Sequence, residues 1–156
     1  MRSVSIMSRS SKSTGFTLIE VLIAVAIVGI LSAIAYPSYS SYVQRGRLIE
    51  ASNTLLALRT SMEQYYQDNR GYANASSTII SPCDTSRLPV LKEFTYTCVI
   101  GTPASGFTAT ATGKTPLTNG FEYRIDSAGT QSSTMSTEWG GGSFPCWIMK
   151  KGDACT

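Results

Sequence analysis

Residues 16–36 read FTLIEVLIAVAIVGILSAIAY, and this stretch decides the fold. A helix needs about 20 apolar residues to cross a bilayer, and this run supplies them with Glu20 as its one charge. The segment before it, MRSVSIMSRSSKSTG, is serine-rich and positive through Arg2, Arg9 and Lys12. A positive flank stays on the cytoplasmic side, so the rest of the chain is expected to face outward. An ordinary secretory signal fits less well. Its apolar core is about 7–15 residues long, and Ser32-Ala33-Ile34-Ala35 is a weak small-x-small site.

Glu20 needs a reason. A carboxylate in an apolar helix costs about 2.5–3.5 kcal/mol near the bilayer centre and less near its edge. It therefore either carries a function or sits at the headgroup level, offsetting the positive end of the helix dipole. The run Gly15-Phe16-Thr17-Leu18-Ile19-Glu20 resembles the class III signal of type IV prepilins. The shared features are a short basic leader, a glycine at the cut, a phenylalanine after it, a glutamate four residues further on and an unbroken apolar helix. The resemblance implies cleavage between Gly15 and Phe16 by prepilin peptidase, N-methylation of the new Phe16 amine, and retention of the apolar helix. A cationic amine would then begin a hydrophobic helix, and a neighbouring subunit's Glu20 could neutralise it. The pair would act as an assembly registry device, since an unpaired buried acid is penalised more than a paired one.

Gly29 and Pro37 punctuate the long segment and are expected to break or bend the helix, because proline removes one backbone hydrogen bond. Helical patterning resumes beyond them. Leu48, Ala51, Leu55, Leu58, Met62 and Tyr65 recur at spacings of three and four, one apolar stripe that needs a partner surface. Packing on the chain's own sheet is the expected use. A coiled-coil seam would need more heptads than the stripe provides. Gln67-Asp68-Asn69-Arg70-Gly71 supplies the stop. A nearly straight helix from Thr17 to Asn69 would run about 80 Å at 1.5 Å per residue.

Residues 72–91 lack clear periodicity and read as a loop. From Phe94 the pattern alternates: FTYTCVI from 94, FTATAT from 107 and FEYRID from 121. These are strand signatures bounded by glycine turns at 101–106 and 113–120. A fourth, polar strand is expected near residues 131–135, after the Asp126-Ser127-Ala128-Gly129 turn. The fold class expected is α+β: a long N-terminal helix, half transmembrane and half amphipathic, packed on a small antiparallel sheet, as in the type IV pilin fold. The domain plan is residues 1–15 as a removed cytoplasmic leader and 16–36 as the membrane and filament-core helix. Residues 37–70 form its amphipathic second half, and 71–156 the globular region with its disulfide-bounded C-terminus.

Cys83, Cys98, Cys146 and Cys155 follow an apolar segment that delivers them outside, so two disulfides are expected. Zinc is the rival, but no short C-x2-4-C knuckle and no histidine supports it. Four cysteines allow three pairings; proximity favours Cys83 with Cys98 and Cys146 with Cys155. The tail from Trp139 to Cys155 resembles the disulfide-bounded loop of pilins, and its Cys146-Trp147-Ile148 segment looks like PilE-type minor pilins of Gram-negative bacteria. Trp139, Phe144 and Trp147 are expected to pack over the disulfide and not to form an exposed binding surface. Gly140-Gly141-Gly142 lacks the continuation of a phosphate loop and reads as a turn.

With 156 residues and 42% hydrophobic content, one modest core is expected with the helix as an appendage. The formal charge is +3, but from Phe16 onward ten Lys/Arg face ten Asp/Glu. A neutral body does not point to a phosphate-binding stripe, so nucleic acid is possible as a partner but unsupported. The basic pairs Lys150-Lys151 and Arg45/Arg47 read as solvated or juxtamembrane groups. Histidine is absent, and Glu122 and Asp126 sit on an ordinary strand face, so no catalytic residue, cofactor or metal is expected and the chain is not read as an enzyme.

The resemblance thus implies a structural subunit, of the minor kind, of a type IV pilus. Its partners would be other pilin subunits, prepilin peptidase, the inner-membrane assembly platform and, before assembly, the membrane itself. Its place would be the inner membrane and then the extracellular pilus, supporting twitching motility, attachment or DNA uptake. Two rivals stand beside it: a type II secretion pseudopilin, which family pattern associates with a calcium site and no cysteine-bounded tail, and a DNA-receptor competence pilin.

Overall fold

The computed structural model describes residues 15–102 and 105–155. The leader expected at residues 1–15 therefore lies, but for Gly15, outside the described residues. Two compact units divide the chain, residues 1–39 and 40–156. Helix α1, Leu18–Asn69, runs through both, followed by strands β1 (Phe94–Ile100), β2 (Phe107–Gly113), β3 (Glu122–Asp126), β4 (Gln131–Thr134) and β5 (Ser143–Phe144).

In the first unit, every described residue from 15 to 39 is exposed. Neither Gly29 nor Pro37 ends the helix, which corrects the break expected at them. Proline forfeits one backbone bond. Helix is nucleated once and then propagates, so a single lost bond does not terminate a long run on both sides of it.

In the second unit the expected stripe is the buried face of α1: Leu48, Ala51, Ser52, Leu55, Leu58, Met62 and Tyr65. Ser52 is tolerated there because its hydroxyl donates to the Ile49 carbonyl at 2.9 Å. The opposing surface is a five-stranded antiparallel sheet in the order β1-β2-β3-β4-β5, a plain meander. Its inward residues alternate as the pleat demands: Phe94 and Tyr96, then Phe107, Ala109 and Ala111, then Tyr123 and Ile125. Ala109 and Ala111 in β2 are fully buried, part of the same core cluster as the α1 stripe.

α1 ends at Asn69, within its stop signal. Arg70 takes the left-handed conformation, with φ 57°, and its N–H donates to the Tyr66 carbonyl at 2.7 Å. The loop beyond is irregular but hydrogen-bonded. The Tyr65 hydroxyl accepts from Ala75 N at 2.8 Å and lies 3.0 and 3.1 Å from the Ala73 and Ile79 carbonyls. Asn74 accepts from Ser81 N and donates to the Asp84 carboxylate. The fifth strand was not expected: β5 is two residues long and pairs Ser143 with Thr134 and Phe144 with Ser133.

Candidate functional site

The first surface of interest is the exposed apolar helix of the first unit. It is the one described helix long and apolar enough to cross a membrane. Phe16 is 82% exposed, and from Leu18 to Ile34 the large aliphatic side chains stand free of any protein neighbour that would bury them. Gly15, Phe16 and Thr17 precede the helix without regular structure. Thr17 begins it: its hydroxyl accepts the backbone N–H of Glu20 at 3.3 Å. Thr17-Leu18-Ile19-Glu20 is therefore a T-x-x-E capping sequence, a start signal that was readable from spacing alone. Glu20 occupies the first turn, where a carboxylate complements the helix dipole. It forms no ion pair among the described residues.

The second surface belongs to the C-terminal region. Cys83 joins Cys98 and Cys146 joins Cys155, with Cα–Cα distances of 5.2 and 5.7 Å. The second bridge closes a loop that is docked by polar contacts. Tyr123 donates to the Ile148 carbonyl at 2.8 Å, while Ser133 donates to the Cys146 carbonyl at 2.6 Å and accepts from Ile148 N at 3.2 Å. The aromatic residues of the tail lie against the core and not apart from it. Trp139 meets Phe121 edge-on at 5.0 Å, and Trp147 meets Tyr123 edge-on at 6.3 Å. Trp147 also donates its indole N–H to the Arg124 carbonyl at 2.8 Å. Gly140, Gly141 and Gly142 all have positive φ, so the glycine run is a turn in conformations that other residues avoid.

A third surface lies along β1. Residues Thr85, Leu88, Pro89 and Val90 of the loop share a cleft of about 400 Å³ with Thr95, Thr97 and Lys114. Lys92 and Lys114 sit at one end of the β1–β2 pair, where Lys114 N donates to the Glu93 carbonyl at 3.1 Å. With Arg87 they are exposed, and none of the three forms an ion pair among the described residues. Arg45 and Arg47 are different: Arg47 pairs with Glu50 at 3.3 Å and approaches Glu93 at 3.9 Å. Glu122 and Asp126 are not brought together as an acid pair. Arg124 on the same strand neutralises Glu122 at 2.6 Å, and Asp126 accepts the Thr130 N–H in the following turn.

Sequence comparison agrees with this architecture. Residues 37–134 match the family described as type IV minor pilin ComP, DNA uptake sequence receptor. The chain belongs to the type IV pilin family. Residues 10–36 of this pilin also match the prokaryotic N-terminal methylation motif. Among curated relatives, a fimbrial protein of Moraxella nonliquefaciens is 41% identical over 70 residues, 45% of this chain and 46% of that protein. The type IV major pilin PilE1 of Neisseria gonorrhoeae is 36% identical over 81 residues, 51% of this chain and 49% of that protein. The pilin thus spans about half the length of the curated relatives it matches. Among solved structures, the non-core minor pilin PilV of Neisseria meningitidis aligns with TM-score 0.50 at 23% identity, covering 62% of this pilin and 91% of that chain, a likeness of fold.

Proposed function

We propose that this pilin is a structural subunit of a type IV pilus, assembled through its N-terminal helix and of the minor class. The observation that carries the reading is an apolar helix from Leu18 onward with no buried residue among the described residues of the first unit. Apolar surface contributes roughly 25 cal/mol per Å² when removed from water, so such a helix is stable only in lipid or against other helices. Before assembly it spans the inner membrane with the leader in the cytoplasm and residues 40–156 outside, where the cysteines oxidise. Prepilin peptidase cuts between Gly15 and Phe16, just ahead of the capped first turn, and the Phe16 amine is methylated. In the filament Glu20 pairs with the Phe16 amine of a neighbouring subunit. The assembly platform and the other pilins are its partners.

Glu20→Ala tests this. The variant is expected to be cut and methylated as before but to be depleted from sheared fibres, read by mass spectrometry of the fibres and of the membrane fraction. Normal incorporation would remove the pairing, and a surface-fibre product beginning beyond Tyr36 would remove the pilus reading.

A second reading is that of a DNA receptor within the pilus, favoured by the ComP family match together with the exposed cations Arg87, Lys92 and Lys114, of which Lys114 lines the β1 cleft. Three exposed cations on a body whose charges balance overall are few for sequence-independent binding, so each should matter. Replacing either lysine by alanine is expected to lower the salt slope of DNA binding by about one. A gel shift with residues 40–156 over a range of salt concentrations measures it, and no salt-sensitive shift would dismiss the reading.

A further inference from the structure

The first unit carries a second pattern beside its apolar run. Between Phe16 and Tyr36 there is no aromatic residue, and between Glu20 and Arg45 there is no charge. The apolar stretch then ends on two exposed tyrosines, Tyr36 at 78% and Tyr39 at 70%, both on α1 and in the same unit. Their spacing of three places them on neighbouring positions of one helix face.

Length decides where these rings fall. From Leu18 to Tyr36 the helical rise is about 27 Å, to which the two residues before the helix add a few ångströms, and Tyr39 lies about 4.5 Å further. The hydrocarbon core of a bilayer is about 30 Å thick, and about 40–45 Å with its headgroup layers. With Phe16 and Glu20 at the inner boundary, Tyr36 reaches the outer edge of the hydrocarbon and Tyr39 enters the headgroup layer. Tyrosine favours this boundary because its ring is apolar and its hydroxyl wants water. Ser38 and Ser40 follow the same change from apolar to polar along the chain.

We propose that Tyr36 and Tyr39 are interfacial anchors, seated at the outer lipid headgroup boundary, that fix the depth of the unassembled chain in the membrane. This rests on the membrane-inserted reading above. The occupant of this face before assembly is lipid, since the apolar length matches the bilayer and the aromatic residues sit at its end.

The test uses the full chain in phosphatidylcholine and phosphatidylglycerol vesicles, with lipids brominated close to the headgroup or close to the chain terminus. Tryptophan reporters are placed by Ile27→Trp, Tyr36→Trp and Tyr39→Trp, and the parent chain's own tryptophan signal is subtracted. The Ile27→Trp chain is expected to be quenched most by deep bromine, and the Tyr36→Trp and Tyr39→Trp chains by shallow bromine. Adding Tyr36→Ala and Tyr39→Ala to the Ile27→Trp chain is expected to shift its quenching away from the bilayer centre. An unchanged Ile27→Trp profile in that variant would overturn the proposal. So would tyrosine-site reporters quenched by aqueous acrylamide alone, which places them in water, or shielded from both quenchers, which places them against a second copy of the chain. If the Ile27→Trp chain is quenched by no lipid, the membrane-inserted reading itself fails and takes this proposal with it.

Discussion

The buried hydroxyl of Tyr123 donates to the carbonyl of Ile148 at 2.8 Å, joining the middle of the sheet to the loop that the last disulfide closes. Tyr123 is fully buried. Removing a buried donor costs about 1–3 kcal/mol, the desolvation cost of the acceptor left behind. Tyr123→Phe keeps the ring against Trp147 and Phe94 and is expected to lose about that much stability in urea unfolding. Tyr123→Ala also empties the ring's space and is expected to lose about 3–5 kcal/mol.

Gly113 closes β2 where the backbone of the next loop passes directly over it. A Cβ at this position would lie 1.9 Å from the Thr118 carbonyl oxygen. The obstacle is backbone held in place, since the buried Thr118 hydroxyl donates to the Glu93 carbonyl at 2.8 Å and Thr115 donates to the Glu93 carboxylate. Gly113→Ala is expected to cost about 1–3 kcal/mol or more by overpacking. The exposed Lys114→Ala is expected to stay within about 0.5 kcal/mol, so the two thermal midpoints should differ clearly.

Arg70 holds the left-handed position that ends α1, with φ 57°. A residue with a Cβ is penalised there by roughly 1–2 kcal/mol, and glycine is not. Arg70→Gly is expected to raise stability by about 0.5–1 kcal/mol after its greater unfolded-state entropy is counted. Arg70→Val is expected to lower it, and the two chemical denaturation midpoints should move in opposite directions.

The Asp84 carboxylate accepts bonds from Ser86 N at 3.0 Å, Ser86 Oγ at 2.7 Å and Asn74 Nδ2 at 3.1 Å. The Ser86 bonds chiefly, with Asn74 after them, lower its pKa from 3.8 to about 2. A depressed folded pKa contributes stability that is present above the unfolded value and lost as pH falls through the folded one. The loop is therefore expected to loosen between about pH 4 and pH 2, seen as faster amide exchange at Ser81 and Ser86. Asp84→Asn is expected to lose that pH dependence.

The parts of this fold that were legible share one property: they bury a face, and burial leaves a period. The stripe Leu48, Ala51, Leu55, Leu58, Met62 and Tyr65 is the buried face of α1, and the alternation from Phe94 begins β1 at its first residue. What was not legible buries little. β5 is two residues in a Gly-rich tail, too short to show any alternation. The end of α1 at Asn69 was legible, but that Arg70 takes the left-handed position after it was not. Proline at 37 marks a missing bond without saying whether the helix survives it. The Thr17 cap is readable from its spacing to Glu20, whose backbone N–H it accepts. Arg87, Lys92 and Lys114 stand exposed without an ion pair among the described residues, which a balanced charge count does not show.

The sheet's two margins are both guarded. β5 at one side offers only two residues to an incoming strand. At the other side the loop bridges to β1 through Val90 and Thr95 and is stitched to it at Cys98. Short or covered margins resist zipping to a foreign strand. Copies of this chain can therefore be crowded side by side without their sheets fusing.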